Sequence, residues 1–207
     1  MNGYDAILFD FDGVLADTEP LHFEAWRETL KPYGIVLTWE LYVEQCIGVA
    51  DKEMLDFLRK LADPVVPLEV LWPEYKNKKL LFEQLVSGQS PIPAATVSMV
   101  HSLQGVKLAV VSSSFRAEIE PMLRMAGILD NFGALVFGDD VQNFKPHPEP
   151  YLTGAARLGA LRPLVVEDSD AGAASGRAAG FDVLKVERAE DVPRRIAELG
   201  VAVGFLR

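Results

Sequence analysis

The sequence predicts an α/β protein in which a parallel-sheet core is interrupted by a purely helical insert, and three observations lead there. The chain opens with a short apolar run, Ala6-Ile7-Leu8-Phe9, bounded by turn formers, as a buried strand should be. From about residue 17 to residue 87 the apolar residues recur at helical spacing. Beyond residue 88 strand-like and helix-like segments alternate, and strands joined through helices of this length pair in parallel by right-handed crossovers. The opening strand needs that sheet. Residues 1–16 and 88–207 are therefore predicted to form one unit and 17–87 another.

Each element has its own signal. Asp17-Thr18-Glu19-Pro20 reads as a helix start, with a capping residue, an acidic first turn and an early proline whose missing N–H does no harm. LHFEAWRETL continues it until Tyr33-Gly34. Thr38 starts a second helix, ADKEMLDFLRKLA reads as a third, and a fourth runs from Leu68 with Pro73 forcing a kink or a restart. Ser87-Gly88-Gln89-Ser90-Pro91-Ile92-Pro93 is a linker. After it come the strands VKLAVV, GALVFG, LRPLVVE and FDVLKVE, each followed by a helix. The Ala-rich stretch AGAASGRAAG is one of these helices, its small residues allowing a close approach to a sheet.

Composition narrows the function. With 30 Asp and Glu against 20 Lys and Arg the net charge is −10, which argues against nucleic acid as a partner. No apolar segment approaches the roughly 18 residues of a membrane span, and the N-terminus has no basic stretch leading into an apolar run. The one cysteine, Cys46, reads as a small core residue. A cytoplasmic monomer is expected.

Open parallel sheets build their sites at the carboxyl ends of strands. Strand one delivers Asp10 and Asp12, which alternation puts on one side; VKLAVV delivers Ser112, Ser113 and Ser114; LRPLVV delivers Glu167 and Asp168; and FKPHPEP presents Lys145 in a loop framed by Pro146 and Pro148. Two close carboxylates repel unless a cation or a shared proton relieves them. Hard oxygen ligands such as Asp10 and Asp168 suit Mg²⁺, while Ser112, loop N–H groups and Lys145 suit phosphoryl oxygens, so the chemistry suggested is phosphoryl transfer. There is no GxxxxGK[ST] loop and no GxGxxG after a strand. An EF-hand reading of DFDG fails because its fifth position is Val14.

The four segments FDFDGVLADTE, VVSSS, KPHPEPY and VVEDSDAG, in this order along nearly the whole chain, resemble the motifs of the haloacid dehalogenase superfamily. The insert after the first motif is similar to that of the helical-cap subgroup, nearest to the β-phosphoglucomutase-like phosphatases and mutases. The resemblance implies a Rossmann-like core with an inserted α-helical cap. It also implies Asp10 as a nucleophile that forms an aspartyl-phosphate and Asp12 as a general acid and then base. Mg²⁺ would sit on the Asp10 carboxylate, the Asp12 carbonyl and Asp168, with Glu167 beside it or bound through water. Asp12 argues against the dehalogenase and phosphonatase branches, which lack an acid at that place.

The cap is where such proteins choose their substrate. His22 stands where β-phosphoglucomutases place a histidine that couples cap closure to acid–base work, and a surface position for it is equally open. Of Lys76, Lys78 and Lys79, Lys78 is the best candidate to meet substrate. A mutase of this family has a cap arginine after a Gly-Val; here IGVADKE has Asp51 at that place, with Lys52 beside it. After the hydroxyl motif the family's Lys-Asn is Phe115-Arg116, and Arg116 is a candidate to hold a remote phosphate. A phosphatase for a small phosphorylated metabolite is the leading expectation, substrate-binding residues being His22, Ser113, Ser114, Arg116 and Lys78. A β-phosphoglucomutase-type phosphohexomutase is the alternative. His101 is expected to be structural, His147 to fix the Lys145 loop, Asp139 and Asp140 to support the site or cap a helix, and Asp170 to cap the helix after Glu167.

Overall fold

A computed structural model describes residues 3–47, 49–88 and 90–203, the last three by backbone alone. Gln89 of the linker and Gly48 of the IGVADKE segment lie outside the described residues. The chain divides into two compact units, one of Met1–Asp17 with Ser90–Arg207 and one of Thr18–Gln89.

Among its described residues the second unit has helices and the turns joining them, with no strand. It comprises α1 (Glu19–Leu30), α2 (Trp39–Gln45), α3 (Asp51–Leu58), α4 (Leu68–Leu71) and α5 (Tyr75–Gly88). The chain runs past α1 through a 3₁₀ turn at Lys31–Tyr33 and stops at Gly34, whose φ of +71° suits a residue without a side chain. Thr38 caps α2, its hydroxyl accepting from the Leu41 N–H at 3.2 Å. Pro73 acts as expected, since a 3₁₀ turn at Trp72–Glu74 separates α4 from α5. Thr18 precedes α1 with helical dihedrals, and its side chain makes no cap hydrogen bond to the helix. Apolar faces of these helices meet in a core that includes Trp26, Leu30, Leu55, Leu58 and Leu71.

The first unit holds five strands: β1 (Ala6–Phe9), β2 (Lys107–Val111), β3 (Ala134–Val136), β4 (Pro163–Glu167) and β5 (Asp182–Lys185). All pairings are parallel, in the order β3-β2-β1-β4-β5. Helices α6 (Ala94–Ser102), α7 (Arg116–Met125), α8 (Glu149–Leu158), α9 (Asp170–Ala178) and α10 (Val192–Val203) connect and cover them. Because both faces of the sheet are covered, β1 and β4 are buried along their whole length, which is why they read as continuous apolar runs and not as alternating ones. One core cluster packs Leu8, Val111, Val136 and Val165 against Tyr151 and Ala155 of α8.

The chain moves from β1 outward to β2 and β3, then returns to the other side of β1 for β4 and β5. The order reverses between β1 and β4, and at such a switch point a crevice opens at the carboxyl ends of the strands. Phe9 is level with Val110 and Val166. Asp10 just past β1, Ser112 just past β2 and Glu167 at the last position of β4 therefore arrive close together.

Candidate active site

Asp10 leaves β1 with its N–H bonded to the Val166 carbonyl at 3.0 Å, still in ladder register. The chain then turns tightly: the N–H groups of Val14, Leu15 and Ala16 all bond to the Phe11 carbonyl, and Gly13 N–H reaches Ala16 O at 2.9 Å. Gly13 has φ +71°, and a Cβ there would collide with the Asp168 carboxylate. Glycine is thus needed twice over, for the turn and for the approach of the β4 end to the β1 end.

Lys145 enters from the loop before α8, after which the Lys145–Pro146 peptide is cis. Its Nζ donates to Glu167 Oε1 at 2.6 Å, Asp10 Oδ1 at 2.8 Å and the Val111 carbonyl at 3.0 Å. It thereby ties together the ends of β4, β1 and β2. Burial opposes its charge, but the two carboxylates outweigh burial and hold its pKa above the ordinary value.

Glu167 is fully buried. Oε1 accepts from Lys145 and from the Tyr151 hydroxyl at 2.8 Å; Oε2 accepts from the N–H groups of Asp168 and Ser169, both at 3.1 Å, and from the Ser169 hydroxyl at 3.0 Å. Burial pushes its pKa up, but Lys145 and these donors prevail and hold it below the ordinary range. Asp10 and Asp168 go the other way. Burial, followed by the charges of Glu167 and Asp12, raises Asp10 to about 8 despite Lys145, and burial with the Glu167 charge raises Asp168 to about 6.

Carboxylate oxygens of Asp10, Glu167 and Asp168 lie within 4.8 Å of one another. Two of these three groups are strained toward protonation by burial and mutual repulsion, a condition that a divalent cation relieves. The donor set consists of hard oxygens and fits Mg²⁺.

The hydroxyl motif follows β2. Ser112 is buried and its Oγ accepts from the Ser114 N–H at 3.0 Å, while Ser114 Oγ donates to Asp12 Oδ2 at 3.1 Å. Ser113 is exposed. The two aspartates of the first motif therefore face different partners: Lys145 for Asp10, a serine hydroxyl for Asp12.

Arg116, expected to reach for a remote phosphate, is the first residue of α7, and its guanidinium bonds to Asp140 Oδ2 at 3.0 Å and Glu120 Oε2 at 3.4 Å. His22 and Lys78 meet inside the helical unit. Lys78 Nζ lies 2.8 Å from His22 Nδ1, and the His22 ring stacks on Phe82 with centroids 4.1 Å apart. Burial and the Lys78 charge lower the His22 pKa to about 3, which favours the neutral imidazole. Lys78 is buried whereas Lys76 is exposed, so the lysines of α5 do not form one face.

Asp170 is corrected. The cap of α9 is Ser169, whose Oγ accepts from the Gly172 N–H at 3.0 Å, and Asp170 is the first helical residue, paired with Lys185 at 2.5 Å. His147 fixes its loop as expected, accepting from the Glu149 N–H at 3.2 Å, while its carbonyl accepts from Ser175 Oγ at 2.6 Å. Tyr151 is the residue missed from the sequence. Its signal was its place in KPHPEPY, on the buried side of α8.

No helix among the described residues is long and apolar enough to cross a membrane. A phosphorylated carbohydrates phosphatase of Thermotoga maritima is 35% identical over 181 residues, covering 86% of this chain and 82% of that protein. The fructose-1-phosphate phosphatase YqaB of Escherichia coli is 32% identical over 187 residues, covering 88% and 96%. Among solved structures, a family hydrolase from Deinococcus radiodurans with bound phosphate and sodium superposes with a TM-score of 0.79 at 28% identity, over 100% of this chain and 99% of that one. The sequence model of the haloacid dehalogenase-like hydrolases matches residues 7–186. With its site at the carboxyl ends of β1, β2 and β4, the chain belongs to the haloacid dehalogenase-like hydrolases.

Proposed function

We propose that this hydrolase is a Mg²⁺-dependent phosphatase that cleaves a small phosphorylated metabolite, a sugar phosphate, through an aspartyl-phosphate on Asp10. One observation carries the reading: Lys145 spans Asp10 and Glu167 while Asp12, two residues on, is held by the Ser114 hydroxyl. Lys145 favours the ionised, nucleophilic form of Asp10 against the burial that raises its pKa, and Asp12 beside the serine hydroxyl is placed to exchange a proton.

Asp10 and Asp168 would hold the metal with the Asp12 carbonyl. Glu167, whose oxygens already accept five hydrogen bonds, would instead anchor Lys145 and the Asp168 loop. Bound there, Mg²⁺ would favour the ionised form of Asp10 and offset charge on the phosphoryl oxygens. Asp10 attacks phosphorus and the ester P–O bond breaks, while Asp12 gives its proton to the leaving oxygen. Asp12, now a carboxylate, takes a proton from water as that water attacks the aspartyl-phosphate. Inorganic phosphate leaves, and both aspartates return to their starting states. Ser112 and the N–H groups after β2 orient the phosphoryl oxygens, and Lys145 offsets their charge.

The names of the two curated relatives, a phosphorylated carbohydrates phosphatase and a fructose-1-phosphate phosphatase, support a sugar phosphate as substrate. A net charge of −10 supports a small substrate over nucleic acid. We place the enzyme in the cytoplasm as a monomer. The test is ³¹P NMR of the protein with Mg²⁺ and a panel of sugar phosphates primed with a trace of sugar bisphosphate. Release of free phosphate from one or a few esters is expected. Conversion of a 1-phosphate to a 6-phosphate without free phosphate would replace the phosphatase with a mutase.

A further inference from the structure

We propose that Asp140 and Arg116 are a positioning pair that splints the Ser112–Ser114 loop. Arg116 then serves the site through that loop and not as a second phosphate clamp. What the loop binds rests on the phosphatase reading above; the splint itself is read from geometry.

The segment after β3 accompanies the segment after β2 beyond the end of the sheet. Ser112 N–H bonds to Val136 O at 2.9 Å and Gly138 N–H to Ser114 O at 2.9 Å. Arg116 N–H bonds to Asp139 Oδ1 at 3.1 Å, and the Arg116 guanidinium bonds to Asp140 Oδ2 at 3.0 Å. Every second residue of one segment is thus tied to the other, first by backbone and then by side chains. The fit is close: a Cβ on Gly138 would stand 2.6 Å from the Ser113 carbonyl oxygen.

Asp140 is itself fixed on several sides. Its Oδ2 also accepts from the Phe137 N–H at 2.9 Å and its Oδ1 from Arg157 Nη2 at 3.0 Å. The Arg116 guanidinium lies 4.8 Å over the Phe137 ring and takes Glu120 as a second carboxylate. A guanidinium bonded to two carboxylates and stacked on an aromatic ring is a fitted part, and lysine cannot reproduce its planar fork. The loop it anchors carries Ser112 and also Ser114, whose hydroxyl meets Asp12. Displacing the loop would therefore misplace both a phosphoryl-binding group and a partner of the proposed acid.

The experiment compares Asp140→Asn, Arg116→Lys and the double variant with the parent chain. It reads hydrolysis of p-nitrophenyl phosphate with Mg²⁺, inhibition by inorganic phosphate, and hydrogen exchange at the Gly138 amide. Asp140→Asn keeps an acceptor for the Phe137 N–H, so it separates loss of the arginine pairing from loss of the turn. Each single variant is expected to lower kcat/KM by on the order of tenfold to a hundredfold, the scale of a misplaced binding group. Each should also weaken phosphate inhibition and speed Gly138 exchange, with the double variant no worse than the poorer single one. Arg124→Ala, which removes only a surface partner of Glu120, should leave all three readouts unchanged. A fully active Asp140→Asn, or an Arg116→Lys that leaves p-nitrophenyl phosphate hydrolysis and Gly138 exchange unchanged, would overturn the proposal. If the parent hydrolyses no ester, the phosphatase reading fails, and the splint is then judged by exchange alone: faster at Gly138 sustains it, unchanged refutes it.

Discussion

Lys145 Nζ sits 2.6 Å from Glu167 Oε1, a buried ion pair that joins the loop before α8 to the end of β4. Glu167 is held in turn by Tyr151, so the ammonium also 2.8 Å from Asp10 is positioned by residues that need not touch a substrate. Taking two charges out of water is costly, and removing one partner leaves the other uncompensated.

Replacing Lys145 by alanine should therefore do two things. Asp10 and Glu167 would be left facing each other, destabilising the core unit by about 3–5 kcal/mol. Turnover should fall on the order of a hundredfold to a thousandfold. Urea unfolding and steady-state kinetics on one preparation check both; a variant with normal stability and turnover would refute the assignment.

Asp12→Asn should penalise poor leaving groups most. A sugar alkoxide needs a proton as it departs and p-nitrophenolate scarcely does, so the loss should be about 10²–10⁴-fold on a sugar phosphate and much smaller for formation of the phosphoenzyme from the aryl ester. Rapid-quench measurement of the burst with both esters makes the comparison. Equal losses would remove Asp12 from the role of acid.

The reach of the sequence was uneven for physical reasons. Asp10, Asp12, Ser112, Glu167 and Asp168 follow apolar strand runs, and in a parallel sheet strand ends converge, so their gathering was legible from local patterns. Tyr151 was not, because a tyrosine on the buried side of α8 reads as core until α8 is laid across β1, β2 and β3 and its hydroxyl reaches Glu167 at the end of β4. The Arg116–Asp140 pair depends on the β2–β3 register and the His22–Lys78 pair on the packing of α1 against α5, neither of which short-range spacing contains. Ser169 and Asp170 are both good capping residues, and only the extended backbone of Ser169 decides between them.

Metal binding should register without catalysis. Mg²⁺ bound there would relieve the raised pKa values of Asp10 and Asp168, so saturating it should raise the melting temperature of the parent chain, by linkage to the folded state. Asp168→Asn should lose most of that gain. EDTA should silence turnover and Mg²⁺ restore it; a melting temperature indifferent to Mg²⁺ would contradict the site.

His22 gives a pH signature in the helical unit. Its pKa drops from an ordinary 6.5 to about 3 on folding, so below 6.5 the unfolded chain takes up a proton that the folded chain refuses. Stability is then lost as pH falls, by about 2 kcal/mol at pH 5 from this group. All three tryptophans, Trp26, Trp39 and Trp72, lie in this unit, so their fluorescence follows its unfolding. The slope between pH 6.5 and pH 5 should be shallower in His22→Gln; identical slopes would show that His22 is not buried neutral.

The covalent role proposed for Asp10 is open to direct observation. Acid-quenching the enzyme during turnover of a sugar phosphate and mapping the digested protein by mass spectrometry tests it directly. One added phosphoryl group, labile to hydroxylamine, is expected on the peptide containing Asp10, and none in Asp10→Asn, which should be folded and inactive. A phosphoryl group on Ser112, or steady turnover with no phosphoenzyme and an active Asp10→Asn, would contradict it.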